Sequence, residues 1–198
     1  KELGHAPPSV NTVRGRYIFR DVERCAAEQK LPYRWPAQFP FNSIPAARGF
    51  LWIDAIDPAL AVSYAHQVFE HTFAQGGDSA VIATLAGMAQ RCGLDSAAFT
   101  EGLQSAPVKA RLIEQTAEAA ARGVFGAPTL IHAGEMFWGA DRIEQMDRWL
   151  DGARGARPID HGKCTPTPRP ISAETTGTVC TGSGLGAEKA NVGCFSVI

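Results

Sequence analysis

Gly123-Val124-Phe125-Gly126-Ala127-Pro128-Thr129-Leu130-Ile131-His132-Ala133-Gly134-Glu135-Met136-Phe137-Trp138-Gly139-Ala140-Asp141-Arg142 is the stretch whose reading decides the fold. Gly123 closes a helix, and Gly126 to Pro128 form a tight entry to a strand. Thr129 to His132 and Glu135 to Phe137 then read as a hairpin through Ala133-Gly134, after which Gly139-Ala140-Asp141 opens another helix. Small residues flank the proline, as a cis peptide bond in a tight turn requires. Asp141 stands where a helix N-terminus offers unpaired backbone N–H groups beside its own carboxylate. A cis-proline loop facing such a terminus can grip an extended peptide at one end and a charged group at the other.

Outward from this stretch, composition sets the bounds. At 198 residues the chain makes one domain with a sizeable core, or one domain and a tail. Its 45% apolar and 20% charged residues suit a globular protein. A net charge of −1 gives no reason to expect nucleic acid or an anionic membrane as partner. No apolar run reaches membrane-spanning length and no signal peptide is visible. The chain begins at Lys1, which suggests processing, trimming or a fragment. Its five cysteines form neither a C-x-x-C pair nor a zinc-type spacing. Cys25 and Cys92 fall on apolar helix faces and read as small core residues, so a reducing, cytoplasmic setting fits best. Cys194 lies one place off a prenylation box.

In chain order, Lys1 to Gly15 is irregular, and Arg16 to about Gln29 carries a helical stripe of Tyr17, Phe19, Val22, Cys25 and Ala26. Leu31 to Pro45 holds too many prolines for one regular element. Its rings, Tyr33, Trp35, Phe39 and Phe41, either line a pocket or cover a core edge. Helices are expected at Ala46–Ala55 and, after the Asp57-Pro58 cap, along Leu60, Ala61, Tyr64, Ala65, Val68, Phe69 and Phe73 to Gly76-Gly77. Asp78 caps the next, with Val81, Ile82, Leu85, Met88, Ala89 and Cys92 inward until Gly93. Asp95 or Ser96 starts a shorter helix, and Pro107 opens one running to Arg122. His66 and His71 are five apart and read as partly exposed helix residues rather than ligands. Beyond the helix of Ile143, Met146, Trp149 and Leu150, residues 152–198 lack periodicity. They read as a disordered tail or as non-native sequence.

The run G-V-F-G-A-P-T, a hairpin, then F-W-G-A-D-R resembles the C-terminal half of 2-hydroxychromene-2-carboxylate isomerases. These are relatives of kappa-class glutathione transferases and, more distantly, of DsbA oxidoreductases. Gly4-His5-Ala6-Pro7-Pro8 with Arg14, Tyr17, Asp21 and Arg24 resembles a further family segment, and Phe39-Pro40, Asn42 and Arg48 its proline-rich connector. The resemblance implies an α/β, thioredoxin-like fold of the DsbA/kappa glutathione transferase type with a large all-helical insertion. The divisions are then 1–45, a partial thioredoxin-like segment and connector; 46–122, the helical insertion; 123–151, the C-terminal thioredoxin-like half; and 152–198, the tail. The family's first β-α-β unit, which carries F-x-x-S-P-Y-S with the thiolate-stabilising serine, has no counterpart here, so no catalytic residue is assigned.

Further implied are glutathione as cofactor and a small aromatic substrate, 2-hydroxychromene-2-carboxylate, isomerised in aromatic degradation. In that chemistry a thiolate adds reversibly to a conjugated carbon, the ring opens, a bond rotates and the thiolate leaves. By the same resemblance, Ala127 and Pro128 meet the cysteinyl part of glutathione, and Ala140 and Asp141 its γ-glutamyl end. Trp138 walls the site, while His5 and Arg14 stand at positions usually held by asparagine and lysine. Tyr17, Trp35, Asn42 and Arg48 would line the substrate pocket. Asp141 remains open to the simpler role of helix cap. No nucleic acid, membrane or metal enters this reading, and the family's usual assembly is a homodimer. Two rival classes stand beside it. One is a kappa-like glutathione transferase or DsbA-like thiol oxidoreductase. The other is an inactive fragment, or an interaction module pairing through an open sheet edge.

Overall fold

A computed structural model describes residues 12–36, 38–152 and 193–195. The chain forms two compact units, Lys1–Ile113 and Glu114–Ile198. His5 and nearly all of the expected tail lie outside the described residues.

The first unit is helical. α1 (Val13–Glu28) begins earlier than the stripe suggested, because the Thr12 hydroxyl accepts from the Gly15 N–H at 2.9 Å and caps the first turn. Gly15 and Ala26 are buried, Phe19 and Val22 half-buried, and these four share one face. Tyr17 and Cys25 lie off that face and are exposed, so the core reading of Cys25 is corrected. Lys30, left-handed at φ 56°, ends the helix as the Leu31 N–H returns to the Ala26 carbonyl at 2.9 Å.

α2 (Ile44–Asp54) carries proline in its first turn. α3 (Pro58–Phe69) is capped by Asp57, whose Oδ1 accepts from Ala59 N–H at 2.8 Å. One feature escapes periodicity: α3 runs into a π-helical turn, Glu70–Ala74, closed by Gln75 N–H to Glu70 O at 3.0 Å. α4 (Ile82–Arg91) starts later than expected. Asp78 accepts from Ala80 N–H and stabilises a turn there, while Val81 takes the cap position and is exposed rather than inward. Cys92, at the helix end, is half-buried, its sulfur accepting from Gln67 Nε2 at 3.1 Å. α5 (Ser96–Gly102) is capped by Asp95, and α6 (Ala106–Ala121) follows.

The core of this unit joins α2, α3, α4 and α5 through Leu51, Ile53, Ala61, Tyr64, Leu85, Met88, Phe99 and Leu103, each nearly or fully buried. Gly49 lets two rings close over α2, since a Cβ there would come within 2.6 Å of Phe99 Cζ and Tyr64 Oη. Arg111 ties α6 to the end of α2, donating to Leu51 O at 3.0 Å and to Asp54 Oδ2 at 2.5 Å.

The second unit holds the opening stretch. Gly123, at φ 80°, ends α6 as expected. β1 (Thr129–His132) pairs antiparallel with β2 (Glu135–Trp138). Ala133 and Gly134 both have positive φ, the type I′ conformation that matches strand twist in a two-residue hairpin. Ala119, Val124 and Ile131 form its small core, with Met136 against them. A single 3₁₀ turn, Ala140–Arg142, leads into α7 (Ile143–Gly152), where Met146 is buried and the Trp149 ring meets Phe137 edge-on at 5.6 Å. β3 (Gly193–Phe195) pairs antiparallel with the other edge of β1, giving the order β2-β1-β3. For these three residues the tail reading is corrected: an open strand edge offers unpaired N–H and C=O groups that an extended segment can satisfy.

Candidate functional site

The Ala127–Pro128 bond is cis. Two hydrogen bonds hold the loop around it. Thr129, fully buried, donates its hydroxyl to Gly126 O at 2.6 Å, and Gly139 N–H donates to Pro128 O at 2.9 Å. The second bond ties the loop to the entry of the last helix, bringing Ala127, Pro128, Trp138, Ala140 and Asp141 onto one short piece of backbone. Gly139, at φ 114°, permits that corner; the Asp141 carboxylate folds back against it, where a Cβ would collide. The carboxylate is 73% exposed, with Arg142 at 3.6 Å as a loose companion. Ala127 makes no backbone hydrogen bond among the described residues. The unit thus presents a bent loop whose Ala127 backbone is open to pairing, first-turn N–H groups at Ala140 and Asp141, and an accessible negative charge. These donors and acceptors suit a small peptide with a free α-amino-acid end. Trp138, half-exposed, packs its ring 4.9 Å from Phe125.

In the first unit the connector's aromatic residues close into a ring of contacts. Trp35 meets Phe39 at 5.2 Å, Phe39 meets Phe41 at 6.4 Å, Phe41 meets Phe73 at 6.3 Å, Phe73 meets Tyr33 at 6.4 Å, and Tyr33 returns to Trp35 at 5.4 Å. Phe19 of α1 stacks on Trp35 at 4.0 Å. Each such pair contributes roughly 0.5–1.5 kcal/mol beyond area burial. Phe73 reaches this ring from the π-helical turn, whose Phe73 carbonyl also accepts from Arg34 N–H at 2.6 Å. No spacing rule announces that register change, so its partnership with the connector was not legible in the sequence. All six rings are half-buried.

Of the expected substrate residues, Trp35 belongs to this ring, and its buried Nε1 has no hydrogen-bond partner among the described residues; the same holds for Arg48 Nε on α2. Asn42 spends its side-chain oxygen on Ile44 N–H at 3.1 Å, a turn role. Tyr17 stands apart from the aromatic ring, 63% exposed, with the Arg24 guanidinium 5.5 Å over its face. Arg14 is exposed on the first turn of α1. A surface cavity of about 620 Å³, lined by Ala97, Thr100, Glu101, Gln104 and Ser105, involves none of these residues. No group of metal-ligating side chains and no helix long and apolar enough to cross a membrane occurs among the described residues.

Burial pushes the Tyr33 phenol up to about 12, with the Glu23 charge adding to it, so the hydroxyl is a donor throughout the neutral range. Between its ordinary value of 10.0 and about 12 the unfolded chain has lost a proton that the folded chain keeps. Stability therefore falls as pH rises through that window. Burial raises Tyr64 as well and extends the same loss. Tyr33→Phe is expected to flatten the decline in urea-melt stability above pH ~10. An unchanged slope would show that Tyr33 ionises alike in both states.

Comparison with known proteins supplies the remaining findings. Residues 1–151 match the DSBA-like thioredoxin domain. A 2-hydroxychromene-2-carboxylate isomerase of Pseudomonas putida is 31% identical over 147 residues, covering 73% of this chain and 70% of the relative. The enzyme of the same name from Pseudomonas sp. (strain C18) is 29% identical over 153 residues, covering 76% of this chain and 70% of the relative. A solved 2-hydroxychromene-2-carboxylate isomerase structure superposes with a TM-score of 0.67 at 28% identity, over 77% of this chain and 74% of that one.

Proposed function

Because this chain belongs to the DsbA-like thioredoxin family and, within it, to the 2-hydroxychromene-2-carboxylate isomerases, we propose that it serves a glutathione-dependent isomerase acting on that substrate. The observation that carries the cofactor is the cis Ala127–Pro128 loop tied to the Ala140–Asp141 corner by the Gly139–Pro128 hydrogen bond. When bound, glutathione supplies the thiol that acts as reversible nucleophile. The chain's own residues orient it. Ala127 takes its extended backbone, the Ala140 N–H faces its α-carboxylate, and the Asp141 carboxylate holds its ammonium. Trp138 shields the bound peptide from water on one side. Arg14 and His5 are proposed as further cofactor contacts, and Tyr17, Trp35, Asn42 and Arg48 as substrate contacts. For a carboxylated aromatic substrate the half-buried rings offer flat apolar surface, and the half-buried Arg48 offers a positive charge. We read residues 46–122 as a helical insertion between two thioredoxin-like parts, 1–45 and 123–151.

The test follows the absorbance of 2-hydroxychromene-2-carboxylate with this chain, with and without glutathione, beside calorimetric titration of glutathione. Conversion that requires glutathione supports the proposal. Conversion without it, or no heat of binding, rejects the cofactor assignment.

A further inference from the structure

We propose that Gly126 is a positioning residue that sets the Trp138 indole as one wall of the peptide-binding loop; the inference rests on the glutathione reading above. Trp138 is the last residue of β2, opposite Thr129 in register, and its side chain returns over the loop. The indole lies directly against the Gly126 Cα. A Cβ at that position would come within 2.9 Å of Trp138 Cε2 and 3.2 Å of Cδ1, and closer still to Nε1. Gly126 is not in the left-handed region, so its backbone accepts alanine without strain. The three nearest atoms that a side chain would meet all belong to the indole ring.

The glycine is itself fixed, since its carbonyl accepts from the hydroxyl of fully buried Thr129 at 2.6 Å. Phe125 braces the indole at 4.9 Å and 60° between planes. One side of the ring therefore rests on backbone and part on a second ring, while half of the residue remains exposed beside the cis bond. A large apolar side chain held this firmly yet left half open is arranged to be covered by what the loop binds. Moving it changes the shape of the site without touching any group that hydrogen-bonds the ligand.

The experiment is a double-mutant cycle on Gly126→Ala and Trp138→Ala, read by calorimetry with glutathione and by the Trp138 indole N–H resonance without it. That resonance is identified by its loss in Trp138→Phe. Gly126→Ala is expected to shift the resonance and weaken glutathione binding about tenfold, the size of effect that displacing one large contact residue has on affinity. In the Trp138→Ala background it should have no further effect. Equal weakening in both backgrounds, or an unmoved resonance, overturns the inference. Should Gly126→Ala fail to fold, recovery of folding in the double variant reports the same contact, and failure of both variants overturns it. Absence of glutathione binding by the wild-type chain rejects the cofactor reading and the ligand half of this proposal, whereas the indole shift still decides the Gly126 contact separately.

Discussion

Replacing Asp141 by alanine is expected to weaken glutathione binding by about tenfold to a hundredfold, the loss of a charge-assisted hydrogen bond worth roughly 1.5–3 kcal/mol. The carboxylate is well exposed, so water screens part of the interaction and the lower end of that range is the better guide. Asp141 also folds against Gly139 at the start of its helix without a capping hydrogen bond, so alanine removes a local packing contact together with the charge. Asp141→Asn separates the two, keeping an oxygen of similar reach while losing the negative charge. If the charge holds an ammonium, asparagine should bind glutathione nearly as poorly as alanine. If asparagine binds as well as the wild type, the negative charge holds nothing and the ammonium assignment is wrong. Thermal melts of both variants supply the control, because a surface change here should alter stability little.

The largest effect on folding is expected at Phe99. Its side chain is fully buried, edge-on to Trp52 at 5.9 Å and tilted against Tyr64 at 5.6 Å, above the glycine that makes room for it. Phe99→Ala removes the transfer free energy of a whole ring and leaves a cavity that rigid helices fill only in part, costing about 3–5 kcal/mol. It also opens space beside the Tyr64 hydroxyl, which has no hydrogen-bond partner among the described residues. Urea denaturation of the variant beside Val62→Ala, an exposed apolar position on α3, measures it. A loss at Phe99 as small as that at Val62 would mean the helices are not packed around this ring.

Much of the architecture is written locally. Asp57-Pro58, Asp95, Gly93 and Gly123 mark helix ends through short-range bonds and backbone freedom, which a reader of residues can see. Ala133-Gly134 likewise specifies its hairpin, and the small residues around Pro128 suit the cis bond that the structure has. The joint run through Asp141 pointed to the family because those local rules occur there in one fixed order.

What local rules missed depends on distant partners. Cys25 shares the polarity of its neighbours in the stripe, yet the face of α1 that becomes buried is chosen by Gly15, Phe19, Val22 and Ala26. Apolar spacing places Val81 inward because it cannot locate a helix start to the residue, whereas Val81 stands exposed at the cap. Phe73 joins Tyr33 and Phe41 only because the backbone widens to a π-helical turn, a change that packing dictates and a helical period conceals. The partner of the β1 edge, Gly193–Phe195, lies far away in sequence, and strand pairing depends on backbone groups every residue carries. By itself, then, the sequence determined the helix ends marked by Asp57, Gly93, Asp95 and Gly123, the hairpin, the proline loop and the family. Tertiary structure alone decided which side of each helix is buried, which rings meet, and that the Trp138 indole comes to rest on Gly126. The physical reason is that capping and turn chemistry act over three or four residues, whereas burial and contact are settled by segments far apart in the chain.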